Sequence, residues 1–238
     1  PLTVVYRRSG ARHTATLTPT ADENGHYKAG VWVRDSGAGI GTMSFVDPQR
    51  GTFAGLGHSI SDADTGADLT LLSGEIVPVT ITGCIRGAAG SPGELRGEFA
   101  AAPAGTVLAN DAAGVYGSYT GSCTAPALPV ANLQEVTPGE AELWTTVLGT
   151  TAQPYTIQVE RVTMTGSDPN RNLLIRVTDK RLLDATGGVV QGMSGSPIVQ
   201  NGRLAAVLTH VLVNDPSRGY AIFATTMLEK ADAVASSK

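Results

Sequence analysis

Asn201-Gly202 stands between two apolar runs, Ile198-Val199 and Leu204 to Leu208. An Asn-Gly pair flanked in this way asks for a two-residue turn with positive φ, and so for a β-hairpin. Immediately before the first run comes Gly192-Met193-Ser194-Gly195-Ser196-Pro197, of the form Gly-x-Ser-Gly-x-Pro. Ser194 is therefore expected on a tight, glycine-flanked turn that feeds a hairpin. A nucleophilic serine needs that setting, with its hydroxyl exposed and backbone N–H groups aimed at a developing oxyanion. Gly192 can adopt the angles that aim such groups, and Gly195 leaves room for a substrate. An ordinary glycine-rich turn with two solvated serines fits the hexamer equally well, so the hexamer does not decide alone.

The chain has four histidines, His13, His26, His58 and His210. His58 ends a short apolar run within Phe53-Ala54-Gly55-Leu56-Gly57-His58-Ser59-Ile60-Ser61-Asp62. Histidine first and serine second is the order of the double-β-barrel serine proteases. The α/β-hydrolases have the reverse order. Taken alone, His58 reads as a structural loop residue; beside Ser194 it reads as a general base.

Four segments, VRDSGAGIGTMSFVDP, FAGLGHSISDADTG, VTDKRLLDATGGVVQGMSGSPIVQNGR and THVLVNDPSRGYAIF, closely resemble the SpoIVB peptidase family. These are serine peptidases of spore-forming bacteria, related to the chymotrypsin-like clan. The resemblance runs from about Val31 to Leu228. It implies an all-β fold, a chymotrypsin-like double six-stranded β-barrel with a short C-terminal helix. It implies His58 as general base, Asp179 as orienting acid and Ser194 as nucleophile. The backbone N–H groups of Gly192 and Ser194 would form the oxyanion hole. No cofactor or metal is needed for such chemistry. The resemblance further implies a regulatory endopeptidase working outside the cytoplasm, in the space around the forespore. Its substrates would be itself and a membrane-associated regulatory protein that restrains an intramembrane protease. It also implies an N-terminal membrane anchor and a PDZ domain beyond the sequence at hand. The competing reading is a catalytically silent protease-fold binding module.

Composition agrees with a β protein. Only 16% of residues are charged, and 29 glycines and 13 prolines exceed the usual share. Many turn formers and few long charged faces argue for strands rather than helices. An esterase of alternating strands and helices is disfavoured for the same reason. A net charge of −4 without a basic run gives nucleic-acid binding no support. The longest apolar stretches, such as Leu204 to Val213, are too short to span a membrane. Cys84 and Cys123 sit in no metal-binding pattern; a disulfide in an oxidising compartment and two free thiols both fit, and the free thiols are preferred because a domain of this size does not need a staple.

In chain order, strands are expected at residues 3–8, 13–18, 31–34, 42–47, 52–56, 69–72, 75–82, 94–100, 114–120, 141–148, 155–165 and 173–178. Pro78 suggests an edge or a bulge in the seventh. Asp35 to Gly41 reads as a glycine turn; its spacing does not fit a phosphate loop. Asp62 and Asp64 hint at calcium, but no EF-hand pattern follows. The proline-bearing stretch Thr124 to Pro138 is taken as a link. It separates lead-in strands and an N-terminal barrel carrying His58, residues 1–125, from a C-terminal barrel carrying Asp179 and Ser194, residues 126–238.

Asp179 has a second reading. It precedes Lys180 to Asp184, with Gly187-Gly188 following, which is the pattern of an N-cap, a short helix and a glycine stop. Asp62 and Asp64 are the fallback acids. His210 lies 16 residues after Ser194, at the end of the strand returning from Asn201-Gly202. It is expected to border the pocket for the side chain before the scissile bond, offering an N–H to a polar or acidic group. A plain strand histidine is the alternative. Met227, Leu228, Ala231 and Val234 have helical spacing, and a terminal helix on the second barrel is expected.

Overall fold

The computed structural model describes residues 1–31, 37–62, 64–166 and 168–236, and the chain divides into two compact units, Pro1–Ala38 and Gly39–Lys238. The expected strand at 31–34 lies outside the described residues beyond Val31, as do Asp35 and Ser36.

In the first unit, β1 (Leu2–Arg8) and β2 (Ala11–Leu17) pair antiparallel, Leu2 opposite Leu17 and Arg8 opposite Ala11. Ser9 and Gly10 both take positive φ, 51° and 78°, as a two-residue hairpin turn requires. β3 (Thr20–Ala21) and β4 (Tyr27–Lys28) form a second small pair.

The second unit begins with β5 (Met43–Asp47), β6 (Thr52–Gly55), β7 (Glu75–Ile76), β8 (Val79–Ile85), β9 (Glu94–Phe99), β10 (Gly105–Asp111) and β11 (Gly114–Tyr119). Five of these form one sheet in the order β5-β6-β11-β10-β7, a curled half-barrel, while β8 and β9 pair apart from it. Pro78 marks the division. A proline cannot donate to a strand ladder, so the run expected at 75–82 breaks into β7 and β8, which join different sheets. The strand expected at 69–72 does not form, and Leu72 is 98% exposed.

The remaining strands are β12 (Gly139–Thr145), β13 (Gln153–Val162), β14 (Leu173–Val177), β15 (Pro197–Gln200), β16 (Arg203–Val211) and β17 (Arg218–Phe223). They close into a barrel in the order β12-β13-β14-β17-β16-β15. Closure leaves no unpaired edge. Tyr155, Ile157 and Val159 of β13 alternate inward with the two-residue period of a strand, as do Leu173, Ile175 and Val177 of β14. They fill the barrel with Leu143, Ile198 and Leu208. Asn201 and Gly202 make the expected hairpin turn between β15 and β16, with φ of 52° and 73°.

β16 serves two cores. Leu208 points into the barrel, whereas its neighbour Val207 joins Ala54 of β6, Tyr116 of β11 and Ile222 of β17. The helix α1 (Lys180–Thr186) buries Leu182 in the barrel core. The helix α2 (Ala224–Ser236) places Met227 and Ala231 in the second core, touching β6 and β11 of the half-barrel as well as β16 and β17. It thus packs on both halves, not on the barrel alone. β6, the strand before His58, therefore shares one packed layer with β16 and β17. Cys84 and Cys123 are free.

Candidate active site

β6 ends with two residues of positive φ, Leu56 at 66° and Gly57 at 69°. This kink swings His58 off the sheet toward β16 and β17. A Cβ on Gly57 would stand 2.9 Å from Thr209 Cγ2, 3.1 Å from Ile222 Cγ2 and 3.3 Å from Val207 Cγ1. Only glycine lets the backbone before His58 come so close. The loop after His58 is held by Asn110. Its amide accepts from Ile60 N at 2.7 Å and donates to the carbonyls of Ile60 and Leu69 at 3.0 Å.

His58 is half-buried. Its Nδ1 lies 2.7 Å from the Ser59 carbonyl. A carbonyl only accepts, so Nδ1 carries a proton, and in the neutral ring Nε2 then holds the lone pair. That is the tautomer a general base needs. The His210 ring lies 4.9 Å away, centroid to centroid.

Ser194 is half-buried on the turn before β15, and its Oγ donates to the Thr209 carbonyl at 2.7 Å. Thr209 directly precedes His210. The nucleophile candidate and the base candidate are thus both held against the Thr209-His210 pair. Thr209 is itself fixed: its Oγ1 donates to the carbonyls of Asn170 at 2.7 Å and Tyr220 at 3.0 Å.

The turn around Ser194 is fully ordered by hydrogen bonds. Met193 N donates to Val190 O, Gly195 N to Leu208 O at 2.8 Å, and Ser196 N to Met193 O at 3.0 Å. None of the hydrogen bonds among the described residues uses the N–H of Gly192 or of Ser194. These two donors, alternating with engaged neighbours, are what an oxyanion requires. Gly195 has φ of 98°, and a Cβ there would strike the Thr42 carbonyl and come within 2.7 Å of Leu56 N.

Asp179 is placed elsewhere. It is the N-cap of α1, accepting from Arg181 N at 2.8 Å, and its carboxylate also pairs with the Arg181 guanidinium at 2.7 Å and accepts from Thr156 N at 3.3 Å. Arg181 holds its pKa down at about 2. None of these bonds goes to His58; the acceptor on the far ring nitrogen is the Ser59 carbonyl. Ser59 Oγ in turn donates to Asp68. Asp62 caps its own turn, accepting from Asp64 N at 3.2 Å and Thr65 N at 2.9 Å. Among the described residues no three His, Cys, Asp or Glu side chains gather as a metal site would need. No helix among them is long and apolar enough to cross a membrane.

Sequence patterns alone missed Thr42, Asn110 and Thr209. Threonine and asparagine on or beside strands carry no periodic signal, and their roles arise only from which segments meet.

No curated protein matches the chain. Among solved structures it is similar to the Rv3671c protease of M. tuberculosis in its active form, at 17% identity and a TM-score of 0.38, covering 85% of this chain and 93% of that one. It is also similar to the HtrA-type protease AlgW with a decapeptide, at 13% identity and a TM-score of 0.41, covering 77% and 62%. The SpoIVB peptidase S55 family profile matches residues 25–228, a span that holds the kinked strand before His58, the Ser194 turn and the whole closed barrel. With that match over most of its length, the chain belongs to the SpoIVB peptidase S55 family of serine peptidases.

Proposed function

We propose that the chain is a serine endopeptidase working through an acyl-enzyme. Ser194 Oγ attacks the peptide carbonyl, His58 Nε2 takes its proton, and the C–O bond of the ester forms as the carbonyl oxygen gains negative charge. The N–H groups of Gly192 and Ser194 receive that charge. His58 then passes the proton to the leaving amine as the C–N bond breaks, and water hydrolyses the ester by the same steps in reverse. Each oxyanion donor contributes about 3–4 kcal/mol to lowering the barrier. His210, beside His58, borders the substrate cleft.

The observation that carries this reading is the pair of N–H groups at Gly192 and Ser194 that are unengaged among the described residues, on a turn whose serine is bonded to Thr209, the neighbour of the His210 whose ring lies beside that of His58. In the present geometry Ser194 Oγ is turned to Thr209 O. The proposed chemistry requires that acceptor to be exchanged for His58 Nε2. The same hydrogen bond favours a second reading, a resting or silent protease fold. The family resemblance supports self-cleavage and a membrane-associated regulatory protein as substrate, in a sporulation pathway outside the cytoplasm. Domain boundaries near residue 125 are part of the same reading.

Labelling with a fluorophosphonate probe tests the chemistry. Wild type should label, and Ser194→Ala should not. A label that persists in Ser194→Ala overturns the serine assignment, and an unlabelled wild type favours the silent fold. Incubation of both proteins with a peptide library then reads out cleavage.

A further inference from the structure

Thr42 lies between Gly41 and the start of β5. It makes four hydrogen bonds around the nucleophile turn. Its N–H donates to Ser194 O at 2.8 Å, and its Oγ1 donates to Gly192 O at 3.1 Å. Its carbonyl accepts from Leu56 N at 3.2 Å, in the kink that delivers His58. On its other side, Ser196 Oγ stands 3.5 Å from Thr42 Oγ1 and 3.0 Å from Thr145 Oγ1. Ser196 and Thr145 are fully buried, at 0% exposure. One residue before, Gly41 sits against Leu56. One residue earlier still, Ile40 Cγ2 would lie 3.3 Å from a Cβ on Gly192.

A peptide unit is planar, and its N–H points opposite to the carbonyl before it. The aim of each N–H on the turn is therefore set by what holds the preceding carbonyl. Gln191 O accepts from Leu95 N at 2.8 Å, which aims the Gly192 N–H. Met193 O accepts from Ser196 N, which aims the Ser194 N–H. The carbonyls on either side, of Gly192 and Ser194, are both held by Thr42. These carbonyls belong to the peptide units that end in the Met193 and Gly195 N–H groups, so Thr42 fixes, from outside the turn, the units on both sides of the one that carries the Ser194 N–H. Through Leu56 it is bonded to the segment bearing the base.

We propose that Thr42 is a positioning residue of this active site, acting through its hydroxyl to hold the Gly192–Ser194 turn in the oxyanion-binding geometry. The proposal rests on the serine-peptidase reading above. A residue that acts only on the turn should change the transition state and leave ground-state binding alone, so kcat falls while KM holds.

The test compares wild type, Thr42→Ser, Thr42→Val and Thr42→Ala with Ser194→Ala as control. It measures fluorophosphonate labelling rate, and kcat and KM on a library peptide that wild type cleaves. Circular dichroism and melting temperature establish that each variant is folded. Thr42→Val and Thr42→Ala are expected to lose roughly tenfold or more in labelling rate and kcat, with KM unchanged. Thr42→Ser, which keeps the hydroxyl, should stay within about threefold of wild type. The alanine variant keeps the outcome readable if the valine variant does not fold. Folded hydroxyl-free variants that label and turn over like wild type overturn the role of Thr42 and leave the serine reading intact. A label retained by Ser194→Ala overturns the reading on which the proposal rests. A matched rise in KM with kcat constant overturns the positioning role in favour of substrate contact.

Discussion

The imidazole rings of His58 and His210 lie 4.9 Å apart, tilted by 36°. Partial cover of the His210 ring, then the nearby charges of His58 and Arg171, hold its pKa below the ordinary histidine value, against a smaller pull from Asp168. His210 therefore favours its neutral form more than an ordinary histidine does. A neutral ring offers an N–H; a charged one attracts acids. If His210 borders the cleft, preference for an acidic side chain before the scissile bond strengthens as the pH falls through its lowered pKa. His210→Ala should weaken that preference and remove its pH dependence. Peptide-library cleavage at about pH 7.5 and 5.5 reads this as a ratio of products. Ratios that match wild type at both values take His210 out of the cleft.

Asp179 separates stability from chemistry. As an N-cap with an ion pair to Arg181, it should cost about 1–2 kcal/mol when changed to alanine, while Asp179→Ser keeps a capping oxygen and costs less. Its pKa is lowered from 3.8 to about 2. The folded state thus binds fewer protons than the unfolded one between these values. The stabilisation is complete above the unfolded value and is lost as the pH falls toward 2. Since Arg181 is 67% exposed, the linkage is worth about 1 kcal/mol after screening. Urea melts at neutral and acid pH measure it. The capping geometry predicts that Asp179→Ser still labels with a fluorophosphonate. Loss of labelling in a fully folded Asp179→Ser would show that the carboxylate reaches His58 during turnover.

The barrel was the more legible half of the fold. β13, β14 and the β15–β16 hairpin announce themselves because one face of each is buried, so hydrophobic period and turn chemistry agree. β10, Gly105–Asp111, carries Thr106, Asn110 and Asp111 and forms part of an open sheet, so its pattern is diluted. β17 was hidden by its glycine and arginine. The half-barrel also differs from a closed six-stranded barrel because Pro78 diverts β8 into a separate pair with β9. At the site, Ser194 and His58 were legible as a glycine-flanked nucleophile and an upstream histidine. Asp179 reads equally as cap or acid from its neighbours, and the structure gives the capping contacts. That Thr42 donates to the Gly192 carbonyl depends on segments 150 residues apart in sequence, and that Ser194 donates to the Thr209 carbonyl depends on how β16 returns past the turn, so no local pattern carries either.

Gly57 brings the backbone before His58 closely against β16 and β17. Gly57→Ala must place a methyl 2.9 Å from Thr209 Cγ2 in a backbone region that disfavours side chains. The expected cost is about 1–3 kcal/mol of stability. Relief by backbone movement would carry His58 away from Ser194, so labelling should fall even in protein that remains folded. Melting temperature and labelling rate together check it; full labelling by a stable variant would show that the approach is not required.

The motif offers two serines, and burial tells them apart. Ser194 is half-exposed beside the two unengaged N–H groups, whereas Ser196 is 0% exposed and its hydroxyl contacts Thr145. A reagent that reaches Ser194 cannot reach Ser196 without unfolding the turn. Ser196→Ala leaves the buried Thr145 hydroxyl without its partner, which costs about 1–2 kcal/mol of stability. It also removes one support behind Thr42, while the direct bond from Thr42 to Gly192 O remains. Labelling of Ser196→Ala should therefore stay within about fivefold of wild type. Ser194→Ala should abolish labelling and peptide cleavage with little change in stability, because among the described residues its Oγ makes a single hydrogen bond, to Thr209 O. Mass spectrometry of the labelled tryptic peptide locates the adduct. An adduct on Ser196, or loss of activity in Ser196→Ala equal to that in Ser194→Ala, would reverse the assignment of the nucleophile.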